Sequence, residues 1–158
     1  NGDKLEVGIE GHISTDERMK IRISAPEIAG IYLSGASVLR SENPLTTSSL
    51  DLECSGASEL YLEVDCDQIS LDVSGASETY LEGRANGLQV DASGAAKYYG
   101  NECQTESAEV SASGASYAEV LVTTSLKAEA SGASKITYSG NPDEVKKSSS
   151  GASSVKKH

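Results

Sequence analysis

The chain has no phenylalanine and no tryptophan, and only one methionine among its 158 residues. An interior without those side chains cannot be a broad, aromatic-centred globule. It has to be thin and filled in layers by Leu, Val, Ile, Ala and Ser, although 158 residues suffice for one domain with a continuous core. No apolar run is long enough to read as a transmembrane helix, so membrane insertion by this chain is not expected. Cysteine is scarce: Cys54, Cys66 and Cys103 are an odd set with no Cys-x-x-Cys spacing. They make no disulfide framework; unpaired thiols are expected, with Cys54 in a core column and Cys66 in a turn, and one bridge with a spare thiol is the alternative. No ligand pattern joins them to His12 or His158, so no metal is expected. With neither an initiator Met nor a signal peptide, the chain reads as mature or trimmed.

Basic residues are outnumbered, 13 against 24 acidic, for a net charge of −11. Lys146, Lys147, Lys156 and Lys157 lie in the last fourteen residues, which hold no acid, so the remainder carries 9 − 24 = −15. Such a body repels phosphate backbones and anionic headgroups, which disfavours nucleic acid and membrane surfaces as partners. The acidic coat also serves solubility.

What the chain has in abundance is repetition. Ser-Gly-Ala occurs with its glycine at 35, 56, 75, 94, 114, 132 and 151, in steps of 21, 19, 19, 20, 18 and 19 residues. Aligned on the tripeptide, apolar residues recur five, three and one positions before the serine, as in Leu50, Leu52 and Cys54 or Ile69, Leu71 and Val73. Polar residues such as Glu53, Asp72 and Asp91 fall between them, the period-two alternation of strands with one buried face. After the tripeptide the alternation resumes through Leu60, Tyr98, Ala118 and Ile136, then Leu62, Leu81, Val120 and Tyr138, with Gly100 as a gap. Each rung is therefore strand, small-residue bend, strand, and a short turn such as Arg84–Gly87.

Every rung keeps the same order, so like residues stack on like at roughly 4.8 Å rather than pairing as hairpins. No rung can bury its own core; the stack does so collectively. The expected fold is all-β: a single-stranded, right-handed parallel β-helix (β-solenoid) of about seven rungs of 18–21 residues. Residues 28–144 form the regular rungs. Residues 145–158, with Lys147 and Ser149 in core columns, form a polar capping rung. Residues 1–27 supply N-terminal strands, Lys4–Ile9 and Met19–Ser24, with Ser14–Arg18 as a loop.

Lys20–Pro26 running into Ile31–Ser37, the recurring Ser-Gly-Ala-Ser steps, and Ile136–Pro142 together resemble the auto-transporter adhesin "head GIN" domain family. The resemblance implies an all-β right-handed solenoid, export to the periplasm, outer membrane or cell surface, and a source in Bacteroidota. It also implies further strands before Asn1, so N-terminal strands of the family domain would be missing here. It carries no catalytic or ligand residues to transfer.

Candidate sites come from the columns. Tyr61, Tyr80 and Tyr99 lie six positions after the serine in three successive rungs, on the outward register. Such a column could form a platform for sugar rings or for a partner's apolar face. It could equally stabilise the sheet by cross-strand pairing, or be covered in a homo-oligomer. Glu53, Asp72, Asp91 and Glu129, with Glu63 and Glu82 on the later strand, form acidic columns. Stacked carboxylates hint at calcium, but no calcium-loop spacing is present, and a solvated face is the better reading. Asp65 and Asp67 read as turn residues.

Short turns build no walled cleft for paired carboxylates, no base accompanies a nucleophile, and the glycines form no phosphate-loop fingerprint, so neither catalysis nor a cofactor is expected. The expected function is non-catalytic: a solenoid presenting a regular face to a glycan or surface protein. The alternatives are a self-assembling envelope module and, behind it, a polysaccharide-active enzyme.

Overall fold

A computed structural model describes residues 4–8 and 20–158. Among the described residues, ten strands follow one another without a helix: β1 Gly30–Leu33, β2 Val38–Arg40, β3 Leu45–Cys54, β4 Glu59–Val73, β5 Glu78–Ala92, β6 Lys97–Ala112, β7 Tyr117–Ala130, β8 Lys135–Ser139, β9 Glu144–Ser149 and β10 Ser154–Lys157. Accordingly, among the described residues no helix is long and apolar enough to cross a membrane. All pairings are parallel, from coil to coil. The molecule is a β-solenoid of about seven turns.

The columns read from the sequence are the observed registers. Leu33, Cys54, Val73, Ala92, Ala112, Ala130 and Ser149 stand over one another. So do Leu50, Ile69, Leu88, Ala108, Leu126 and Val145. Inward members such as Leu50, Leu52, Leu60, Leu71, Val90 and Ile136 are fully buried. Each contributes on the order of 1.5–3 kcal/mol of transfer free energy, which only the stacked neighbours make available. The gap at Gly100 is filled from its own rung: a Cβ there would overlap the Tyr98 hydroxyl, which folds across it.

The tripeptide forms one corner. Its seven glycines share φ of +72° to +75°, a left-handed conformation that other residues resist. From Ala57 onward, each following alanine donates its N–H to the glycine carbonyl one coil earlier, at 2.7–2.8 Å, so the corner itself continues the ladder. From Gly56 onward, a Cβ would lie 2.7–2.9 Å from that carbonyl oxygen. The residue after the alanine turns inward: Ser58, Ser77, Ser116 and Ser134 are buried. The Ser134 hydroxyl, for example, lies 2.8 Å from the Ser131 carbonyl oxygen and 2.9 Å from that of Ala112.

At the other side of the coil the sequence reading needs correction. Arg84–Gly87, expected as a turn, lies inside β5, and Asp65–Asp67 lies inside β4. The bend is gentle enough for the parallel ladder to continue through it, pairing Asp65 with Arg84, Cys66 with Ala85 and Gln68 with Gly87. Here Cys66 points into the core. Differences in rung length are absorbed at this bend, as register shifts between Tyr80 and Glu82 and around Gly100–Ser107.

All three cysteines are free and buried. Burial raises each thiol above its ordinary range, that of Cys103 to about 12, which keeps them protonated and unreactive. At the N-terminal end, Lys4–Gly8 and Lys20–Ala25 belong to no strand, unlike the two runs expected there. Ile9, His12, Ser14–Arg18 and Met19 lie outside the described residues. The last coil still adds β9 to β7 and β10 to β8, but every residue of β9 is exposed. Lys147, in a core column, holds its ammonium 4.6 Å from the Tyr138 ring centroid.

Candidate functional site

The strands on either side of the Ser-Gly-Ala corner give the coil two outer faces: a leading face before it and a trailing face after it. On the trailing face, alternation points Glu59, Tyr61 and Glu63 of β4 outward, then Glu78, Tyr80 and Glu82 of β5, then Lys97 and Tyr99 of β6. Parallel registration sets Arg40, Tyr61, Tyr80, Tyr99 and Glu119 in one column.

The three tyrosines named from the sequence come together as a ladder. Tyr61 and Tyr80 stack with ring centroids 4.6 Å apart and planes 1° from parallel; Tyr80 and Tyr99 follow at 4.7 Å and 14°. Tyr117 joins from the neighbouring column, tilted by 54° at 5.7 Å from Tyr99. The ends are closed by cations, with the Arg40 guanidinium 3.5 Å from the Tyr61 centroid and the Lys135 ammonium 5.4 Å from that of Tyr117. Each ring therefore spends its faces on its neighbours. What the half-buried ladder presents to solvent is a row of ring edges and hydroxyls, rather than a flat platform.

The hydroxyls are pinned. Tyr61 donates to Glu59 at 2.9 Å and Tyr80 to Glu78 at 2.8 Å, while Lys97 donates to the other Glu78 oxygen at 2.7 Å. Burial in the stack, reinforced by these carboxylates, pushes the Tyr61 and Tyr80 phenols above their ordinary range. Lys97 and the Tyr80 hydroxyl hold the Glu78 carboxyl below its own. Beside the ladder, Glu63, Glu82 and Glu102 stand in register, all exposed.

The leading face is different. Glu53, Asp72, Asp91, Ser111 and Glu129 stack in its outer column and, with the corner serines, line a shallow open groove of about 610 Å³. Burial and the neighbouring Asp91 and Asp51 charges raise the Asp72 carboxyl above its usual range. Among the described residues, no cluster of His, Cys, Asp and Glu has the arrangement of a metal site.

Sequence reasoning missed Arg40, Tyr117 and Lys135. Arg40 was legible, since it lies six positions after Ser34, as the tyrosines do after their own serines. Tyr117 belongs to a different column and reaches Tyr99 only by tilting, which spacing does not reveal.

Among solved structures, the chain is similar to a putative adhesin from Bacteroides fragilis, with a TM-score of 0.79 and 24% identity over 84% of this chain and 62% of that one. A putative adhesin from Parabacteroides merdae aligns with a TM-score of 0.67 and 15% identity, over 79% of this chain and 52% of that one. These likenesses establish the fold, and the chain spans less than two thirds of either protein's length. No match was found among curated proteins. The family described as "Putative auto-transporter adhesin, head GIN domain" matches residues 1–142, nearly the whole chain, and the chain belongs to that family.

Proposed function

We propose that this chain is a non-catalytic, extracytoplasmic solenoid that adheres to a glycan or a surface protein through its trailing face. The observation that carries this reading is the ladder of Tyr61, Tyr80 and Tyr99, held in register on one outer face, extended by the tilted Tyr117 and half-exposed. A preorganised row of aromatic edges and hydroxyls gives a partner contact area at little cost in side-chain entropy. Since the ring faces are taken, a sugar would be met by hydroxyls and carboxylates, and a protein by ring edges. The extracytoplasmic location rests on the family's description as an auto-transporter adhesin domain.

The test is a glycan array, with a panel of surface proteins beside it, probed with wild type and with Tyr61→Ala/Tyr80→Ala/Tyr99→Ala. Loss of binding in the triple variant, with thermal unfolding confirming that it folds, supports the reading. Binding that survives the triple change overturns it. The corresponding triple Phe variant keeps the ladder and removes only the hydroxyls, so it separates hydrogen bonding from ring contact.

A second reading, self-association, draws on the first coil, where strands β1 and β2 are paired on one side only among the described residues and Tyr32 and Val38 are 60% and 57% exposed. Light scattering at high concentration decides it, because a strict monomer contradicts self-assembly.

A further inference from the structure

Cations from one coil repeatedly reach acids of the coil before. Arg84 makes a two-pronged pair with Asp65 at 2.8 and 2.6 Å, Lys97 meets Glu78 at 2.7 Å, and Lys127 meets Glu109 at 2.6 Å. Among the described residues, two acidic columns break this habit: Glu53, Asp72 and Asp91 on the leading face, and the column beside the tyrosine ladder. Only the second has a ladder of aromatic edges next to it. Glu63, Glu82 and Glu102 are stacked in register on three successive coils, and among the described residues none of them forms an ion pair. Like charges directly opposite one another on neighbouring strands are unfavourable.

The ladder beside them is complementary to cations in its own right. Both of its ends already carry one, Arg40 over Tyr61 and Lys135 beside Tyr117. Its middle offers ring edges along which the methylene stem of a lysine or arginine can lie while its charge reaches the carboxylates. Anionic partners are repelled by the same carboxylates. A neutral sugar lacks both a charge to relieve the column and a free ring face to stack on.

We propose that the trailing face docks a basic protein segment, an extended stretch bearing arginine or lysine. Its side chains lie along the edges of Tyr61, Tyr80 and Tyr99 and pair with Glu63, Glu82 and Glu102. This inference rests on the reading of the trailing face as the adhesive one and narrows its partner to a class.

The experiment is fluorescence anisotropy on the full chain with a labelled twelve-residue peptide alternating arginine and threonine. Controls are a peptide with glutamate in place of arginine and a neutral oligosaccharide, cellohexaose. Two variants carry the same change in charge: Glu63→Gln/Glu82→Gln/Glu102→Gln on the trailing face, and Glu53→Gln/Asp72→Asn/Asp91→Asn on the leading face. All six positions are exposed, and circular dichroism checks that both variants fold.

Each exposed ion pair is worth about twofold in affinity, so the trailing-face variant should bind the arginine peptide about tenfold more weakly. The leading-face variant should change binding by less than about twofold, and the glutamate peptide should not bind. Equal weakening by both variants would reduce the effect to net charge and overturn the proposal, as would no binding of the arginine peptide at all. If cellohexaose alone binds, and does so through the tyrosines, the adhesive reading stands and the basic-partner inference falls. If the tyrosine triple variant keeps every interaction on the array, the adhesive reading falls instead.

Discussion

The two outer faces follow one rule and reach opposite results. On both, alternation turns every second residue outward, and parallel registration places that residue over its counterpart one coil away. On the leading face the repeated residues are Glu53, Asp72 and Asp91, and the repetition multiplies repulsion. On the trailing face one column is Tyr61, Tyr80 and Tyr99, where the same repetition multiplies attraction, although Glu63, Glu82 and Glu102 beside it repeat the repulsion. A solenoid amplifies whatever its repeat puts outward, so the chemistry of a column matters more than that of any one residue.

The largest effect is expected at the corner that divides the faces. Gly94→Ala places a Cβ on a residue with φ of +74° and 2.9 Å from the Gly75 carbonyl oxygen. Left-handed strain and overpacking together should cost about 3 kcal/mol, read as a fall in the urea midpoint. Gly35→Ala shares the conformation but has nothing within 4 Å of the added carbon, so it should cost about 1 kcal/mol. Equal costs at the two glycines would mean that stacking at the corner contributes nothing.

A smaller effect separates the faces. Tyr80→Ala removes two ring contacts and should destabilise by about 2 kcal/mol, while Tyr80→Phe keeps the stack and should cost under about 1 kcal/mol. On the leading face, Asp72→Asn relieves repulsion and should be neutral or stabilising by a few tenths, roughly 0.3 kcal/mol. Chemical unfolding of the three variants side by side checks the contrast in sign.

The smallest effect is in pH dependence, and it too changes sign between faces. Asp72 has its carboxyl raised above 3.8 in the folded chain, so the folded state takes up that proton first. Its contribution grows as pH falls through the raised value and is complete below 3.8. Glu78 is held below 4.5, so its contribution is present above that value and is lost as pH falls further. Carboxyl chemical shifts followed by NMR should place the Asp72 midpoint above 3.8 and the Glu78 midpoint below 4.5. A midpoint displaced the other way at either group would contradict the assigned surroundings.

The sequence made one side of the coil plain and hid the other. The corner is legible because one residue type, glycine, is forced at one position by conformation and close approach, and recurs seven times. The opposite bend demands no such residue. A strand can curve gently while keeping its ladder, so Arg84–Gly87 reads as a turn but stays in β5, and Cys66 is carried inward with it. In the same way, spacing identified Tyr61, Tyr80 and Tyr99 but not the orientation of their rings. That each ring covers the next follows from the coil spacing and leaves the edges as the available chemistry.

Hydroxyl-radical footprinting, with and without the tightest ligand from the array, tests the central claim most directly. Tyr32 on the leading face serves as an internal reference, being exposed like the ladder's edges but separated from it by the corner. The trailing-face account predicts that Tyr61, Tyr80 and Tyr99 become protected while Tyr32 is unchanged. Protection of Tyr32 with the ladder unaltered would contradict it.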